Sequence, residues 1–232
     1  MPNLILKLLC LISISLCSTV FAGHLNEALN LYKSGKFLET VKILKPLAEK
    51  GDSEAQSLLG WMYFRGEGVA KSNKAALQWY VLAAEKGNHG AQFNLGFMYH
   101  QGHGVPLDYS EAVRWYIKAR EGGNVFAHYN LGLLIEEGKG IKVNSELAFR
   151  LFLFSAQKGH PQSMGKVGHY YSQGEGVQMD RELAYQWAFL ASNQGDRLGV
   201  LVLDEVMTHL NSKSIEKLKM SAKKLLKRKK DE

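Results

Sequence analysis

Apolar and polar positions along this chain follow a pattern that returns every 36 residues. LGWMYFRGEGV at 59–69 comes back as LGFMYHQGHGV at 95–105, LGLLIEEGKGI at 131–141 and VGHYYSQGEGV at 167–177. Self-similarity at a fixed period marks a stacked array of one supersecondary unit. Each unit holds two apolar stretches at helical spacing. The first, helix A, places Ala55, Leu59 and Tyr63 and their counterparts one turn apart on a core face. The second, helix B, carries small residues in register, Ala76/Ala112/Ala148/Ala184 and Ala83/Ala119/Ser155/Ala191. Large ones stand beside them, Trp79/Trp115/Leu151/Trp187 and Tyr80/Tyr116/Phe152, and at this regular spacing the aromatic stripe reads as core rather than as a ligand box. The pattern predicts four repeats, 51–86, 87–122, 123–158 and 159–194, in an all-α chain.

Polar and glycine positions punctuate the same period. Gly51, Gly87, Gly123, Gly159 and Gly195 fall where helix B should end, since glycine enters the left-handed conformation without steric cost. Asp52, Asn88, Asn124, His160 and Asp196 follow, and four of these five are good N-caps for the next helix. Ser72, Asp108, Asn144 and Asp180 form a second cap series ahead of helix B. The pairs Gly66/Gly68, Gly102/Gly104, Gly138/Gly140 and Gly174/Gly176 let the chain reverse between helices A and B. They are not a phosphate loop, which needs a preceding strand and a Gly-Lys-Ser/Thr end. Gly60, Gly96, Gly132 and Gly168 lie inside helix A, where glycine costs roughly 1 kcal/mol relative to alanine, so a close approach of two helices is expected there.

The string Ala-x-x-x-Leu-Gly-x-Met-Tyr-x-x-Gly-x-Gly-Val, followed by Ala-x-x-Trp-Tyr-x-x-Ala-x-x-x-Gly, resembles the Sel-1-like repeat, a relative of the tetratricopeptide repeat. Repeats 51–86 and 87–122 match it closely. In the later two Ile135 replaces the tyrosine, Leu151 the tryptophan and Ser163 the first alanine. Residues 23–50 look like a tetratricopeptide-type helix pair without the glycine-rich insert. The resemblance implies a right-handed α-solenoid that serves as a scaffold for protein–protein contact. Relatives proposed to bind or hydrolyse penicillins carry a cysteine pair in each repeat, which this chain lacks.

Residues 195–232 are expected to close the array, with a last helix A over 197–210 and a cap over 213–228. In the cap Ile215, Leu218, Ala222 and Leu225 share one face. The chain carries 29 Lys and Arg against 22 Asp and Glu. Nine basic and three acidic residues fall in 213–232, and 23–212 holds 19 of each sign. A neutral body with one basic end lacks the broad basic face that nucleic acid requires. The tail reads as the solvated side of the cap; its second reading is a contact with an anionic membrane surface through 223–232.

At the other end, Lys7, the apolar run LLCLISISLC and Val20-Phe21-Ala22 have the form of a signal peptide, residues 1–22, cleaved after Ala22. Export, most simply to the periplasm, is expected. Cys10 and Cys17 both lie inside this segment, so the processed protein would rely on packing alone.

Three candidate chemistries are weakly supported by the residues. Ser163 and Lys166 fit Ser-x-x-Lys, but so do Ser155/Lys158, Ser214/Lys217 and Ser221/Lys224, and no Ser-Asp-Asn or Lys-Thr-Gly accompanies them. His100 and His103 straddle one loop without a carboxylate at ligand spacing. The acidic pair Glu136-Glu137 reads as solvated. No catalytic residue and no cofactor are predicted, and a cell-wall or β-lactam hydrolase is the weakest reading.

What varies between repeats is a second face of helix A, at positions 54, 58, 61 and 65. Down the array it presents Leu58, Trp61 and Arg65; Asn94, Phe97 and Gln101; Asn130, Leu133 and Glu137; then Lys166, His169 and Gln173. The residue after the mid-helix glycine grades from Trp61 through Phe97 and Leu133 to His169. Large aromatics here are interface anchors or pack on the neighbouring helix A; Asn94 and Asn130 offer amides to a peptide backbone. The expected function is an exported adaptor that binds another protein through this concave face. The alternative is a membrane or envelope-polymer tether using the basic tail.

Overall fold

The computed structural model describes residues 23–225, and among them every regular element is a helix. The predicted signal peptide and the residues beyond Leu225 lie outside this range. The helices are α1 (23–33), α2 (Phe37–Glu49), α3 (Ser53–Arg65), α4 (Asn73–Glu85), α5 (His89–Gln101), α6 (Tyr109–Glu121), α7 (Val125–Glu137), α8 (Ser145–Gln157), α9 (Pro161–Gln173), α10 (Arg181–Ser192), α11 (Arg197–Met207) and α12 (Ser212–Leu225). They group into two compact units that divide between Leu107 and Asp108.

Helix ends sit where local chemistry puts them. The side chains of Asp52, Asn88, Asn124 and Asp196 accept the backbone N–H three residues on, at 2.8–2.9 Å. His160 does the same for Ser163 through Nδ1, although an imidazole is not among the favoured caps. Ser72, Asp108, Asn144 and Asp180 cap α4, α6, α8 and α10.

Both glycines of every Gly-x-Gly loop have positive φ. The second does more than turn. A Cβ on Gly68 would meet the Phe37 carbonyl oxygen at 2.5 Å, and one on Gly104 the Asn73 side chain at 2.8 Å. In the second unit Gly140 lies against the Tyr109 backbone and Gly176 against that of Ser145. Each loop therefore lies on the first turn of helix B of the preceding repeat.

In the first unit α3 packs between α2 and α4, and α4 between α3 and α5. Its core holds Ala28, Leu44, Leu47, Ala48, Ala55, Leu59 and Met62. Gln56 and Gln92 are buried and donate to the carbonyls of Ala48 and Ala84, 2.9 and 3.1 Å away, closing the end of the preceding helix B. In the second unit α7 packs between α6 and α8, and α9 between α8 and α10; α11 and α12 both pack on α10. Leu218 and Ala222 of α12 are buried.

The small residues expected inside helix B are all fully buried. The mid-helix glycines admit what stands opposite: a Cβ on Gly60 would lie 2.9 Å from the Tyr80 ring, and one on Gly132 2.6 Å from the Phe152 ring. At Gly168 the facing residue is Ala188, and backbones themselves approach, with the Ala184 carbonyl oxygen 3.2 Å from the Cβ position. One expectation needs correction. The inner position of helix A is residue 62 and its counterparts, Met62, Met98, Leu134 and Tyr170, all essentially inaccessible. Position 63 is only half-buried in Tyr63, Tyr99 and Tyr171, while Ile135 at the same place in the third repeat is buried as expected. Successive helical residues are about 100° apart, so a face placed one residue off still looks amphipathic.

Candidate functional site

In the first unit, residues at helical spacing on α1, α3 and α5 enclose an open groove of about 420 Å³. Leu25 and Leu29 of α1 form one wall, Leu58 and Trp61 of α3 the floor with Glu54 and Ser57, and Asn94 of α5 the far side. Three predicted contact residues, Leu58, Trp61 and Asn94, thus share one surface. All three are half-buried, as a lining requires. Asn94 brings an amide with both donor and acceptor capacity.

Trp61 is held in place. Its indole N–H donates to the Tyr32 hydroxyl at 2.8 Å, which donates to Glu67 at 2.8 Å. Burial and the bond to Glu67 raise the Tyr32 pKa above its ordinary value. Arg65 pairs with Glu67 and lies over the indole, 5.7 Å from its centre. Phe64 stacks on the other neighbour side, 6.1 Å from Trp61, and meets Phe97 edge-on at 6.3 Å. Phe97 therefore belongs to an aromatic cluster with Phe64 and His103, whose ring centres are 5.8 and 5.7 Å from the imidazole. Gln101 is exposed at the end of α5.

In the second unit the equivalent face is spent on internal contacts. The Asn130 amide donates to the Phe126 carbonyl. Glu137 pairs with Lys139 at 2.6 Å. Lys166 meets Glu136 at 2.5 Å, and the Tyr170 hydroxyl donates to the same carboxylate at 2.9 Å, tying α9 to α7. Burial, then the Glu136 charge, raise the Tyr170 pKa. Gln173 donates to Glu205 of α11 at 3.0 Å. Leu133 and His169 are half-buried. Glu136 is thus a bridging acceptor between two helices, not the solvated carboxylate expected from sequence.

Ser163 and Lys166 are both engaged in contacts within the fold. Ser163 is fully buried and its hydroxyl bonds His160 Nδ1 at 2.9 Å. Asp196 acts electrostatically on that imidazole, yet Nδ1 is already the helix cap, and the hydroxyl has no path to a substrate. Lys166 is engaged by Glu136. No group of three or more metal-binding side chains occurs among the described residues, and no described helix is long and apolar enough to cross a membrane.

Sequence reasoning placed position 54 on this face but missed Leu25, Leu29, Tyr32, Ser57 and Phe64 as parts of the surface. Leu25 and Leu29, one turn apart, were the available signal, but they lie outside the 36-residue repeat.

Comparison with known proteins agrees with this architecture. A model of the Sel1 repeat matches residues 53–88, 89–124, 125–160 and 161–196. A Sel1 repeat protein from Oxalobacter formigenes, of known structure, is 30% identical with a TM-score of 0.75, over 87% of this chain and 82% of that one. A protective antigen of uropathogenic Escherichia coli strains with the same fold is 37% identical at a TM-score of 0.66; the match spans 68% of this chain but 34% of that one. A sel1 repeat protein from Klebsiella pneumoniae, 20% identical at a TM-score of 0.54 over 81% of this chain and 93% of that one, shares the fold. No curated protein matches the chain. Four tandem matches, on helices that begin and end at the repeat's own caps and glycines, place this chain in the Sel1 repeat family.

Proposed function

We propose that the protein is an exported adaptor that captures a segment of another protein in the groove between α1, α3 and α5. Sel1 repeats are protein-binding modules, typically non-catalytic scaffolds. The observation that carries the reading is the groove itself: an apolar wall of Leu25 and Leu29, a floor with Leu58 and Trp61, an amide at its edge, and the tryptophan fixed by Tyr32 and Arg65. A fixed aromatic loses little freedom on binding, so more of its contact energy goes to affinity. The equivalent face of the second unit offers less, because its polar groups already hold α7, α9 and α11 together.

Leu58→Arg combined with Asn94→Arg should abolish capture of partner from envelope extract at unchanged helicity and melting temperature. Gln78→Arg, on the exposed part of α4, should leave capture intact. Loss of capture with Gln78→Arg alone would move the site to helix B. Export is tested separately by fractionation: the processed chain should appear in the periplasmic fraction. If binding instead follows anionic vesicles and disappears on deletion of 223–232, the tail rather than the groove is the contact.

A further inference from the structure

Five helices A begin with a capping side chain, and one of the five differs in kind. Asp52, Asn88, Asn124 and Asp196 use a carboxylate or amide oxygen. Before α9 the cap is His160, whose Nδ1 accepts the Ser163 N–H at 3.3 Å and lies 2.9 Å from the Ser163 hydroxyl. Since Nδ1 accepts the backbone donor it carries no proton; the hydroxyl therefore donates to it as well, and the ring hydrogen is on Nε2. The same repeat departs from the others at the partner position, with Ser163 where Ala55, Ala91 and Ala127 stand. Cap and hydroxyl have changed together.

The surroundings are equally specific. Phe126 meets the imidazole edge-on at 5.4 Å and Tyr129 lies 4.7 Å away, both from α7. Lys158, at the turn after α8, lines with His160 an open groove of about 430 Å³, which admits solvent to the ring. From the start of α11, the Asp196 carboxylate acts on the imidazole. It comes close to α9 because Gly165 stands where the other repeats have Ser57, Phe93 and Tyr129; any Cβ at 165 would collide with it. Asp196 itself caps α11 through the Gly199 N–H at 2.8 Å.

We propose that His160 is an acid-sensitive N-cap: a proton taken from solvent at Nδ1 removes the hydrogen bond from the Ser163 backbone N–H, leaves the Ser163 hydroxyl only an acceptor's part, frees the first turn of α9, and draws the ring toward Asp196 and the start of α11. The asparagine caps Asn88 and Asn124 carry no group that could take up such a proton. Burial lowers the His160 pKa and the Asp196 charge opposes that shift. The cap is therefore whole at neutral pH and is lost as pH falls below the ordinary histidine range near 6.5. A cationic ring at a helix N-terminus is also disfavoured by the helix dipole, which makes its departure the favourable response.

The test follows amide hydrogen exchange at Ser163 and the ring proton signals of His160 in the full chain between pH 7.5 and 4.5, corrected for intrinsic exchange. Protection at Ser163 should fall about fivefold, the worth of one N-cap, in step with titration of His160. His160→Asn keeps a cap oxygen, so protection should be high and flat across the range. Ser163→Ala removes the hydroxyl but leaves the backbone donor, so the transition at residue 163 should persist. Titration of His160 with no change at Ser163, or the same pH profile in His160→Asn as in the parent, would overturn the proposal.

Discussion

Gly132 and Phe152 interlock: a side chain on the glycine of α7 would begin 2.6 Å from the ring on α8. The ring is fully buried and cannot swing aside. Gly132→Ala gains about 1 kcal/mol of helix propensity but overpacks the joint, which costs about 1–3 kcal/mol. A net loss in urea denaturation is expected. Phe152→Leu in the same chain should recover part of it, a non-additive pair; strictly additive effects would mean the ring is not the obstacle.

Gly138 and Gly140 separate the two roles of the loop glycines. Both have φ near +70°, so alanine is strained equally at either. A Cβ at 138 meets a methyl of Val143, an exposed side chain, whereas one at 140 meets backbone atoms of Tyr109 and Ser110 at 2.5–2.7 Å. Gly140→Ala should therefore cost at least about 1 kcal/mol more than Gly138→Ala, the scale of an overpacking penalty. Equal losses in thermal unfolding would show that the loop can lift away from α6.

Glu136 accepts from both Lys166 and Tyr170. Glu136→Ala leaves an ammonium and a buried hydroxyl without their acceptor, a loss of about 1–3 kcal/mol. Glu136→Gln retains one acceptor oxygen and should lose less. If chemical denaturation finds the two variants alike, the carboxylate's double contact contributes nothing.

His128 adds a pH dependence of its own. Its ring stacks on Phe154 at 3.8 Å and its Nδ1 pairs with the Asn124 carbonyl. Burial lowers its pKa, with the Asn124 bond opposing. The unfolded chain then takes up the proton first, so this part of the stability is complete above the ordinary histidine pKa near 6.5 and is lost as pH falls through the folded value. His128→Gln, the residue type of repeats one and two at this place, should flatten the acid limb of the stability curve. An unchanged limb would exclude this histidine as its source.

Helix count, caps and turns were legible in the sequence because helix ends are decided by a few adjacent residues. The close approach at the mid-helix glycines was legible too, since its cost in propensity recurs four times. Its form was not: at Gly60 and Gly132 the nearest neighbour is an aromatic ring, whereas at Gly168, where Ala188 replaces that ring, it is backbone. The groove was half legible. Leu58, Trp61 and Asn94 stood out as variable positions on a regular helix, whereas Leu25 and Leu29 reach them from a segment that does not repeat. Lys166 and Glu136 were invisible as a pair because long side chains on helices 30 residues apart meet only after packing.

Because the second glycine of each loop rests on the opening turn of helix B in the repeat before it, the spacing between the two is fixed while their number is not. Whole units of 36 residues could be excised or duplicated and every loop would still land on a matching seat. A change of one residue would leave a bulkier side chain over the same backbone. Such an array can grow or shrink by recombination between its own repeats, and its length is then open to selection without any redesign of the joints.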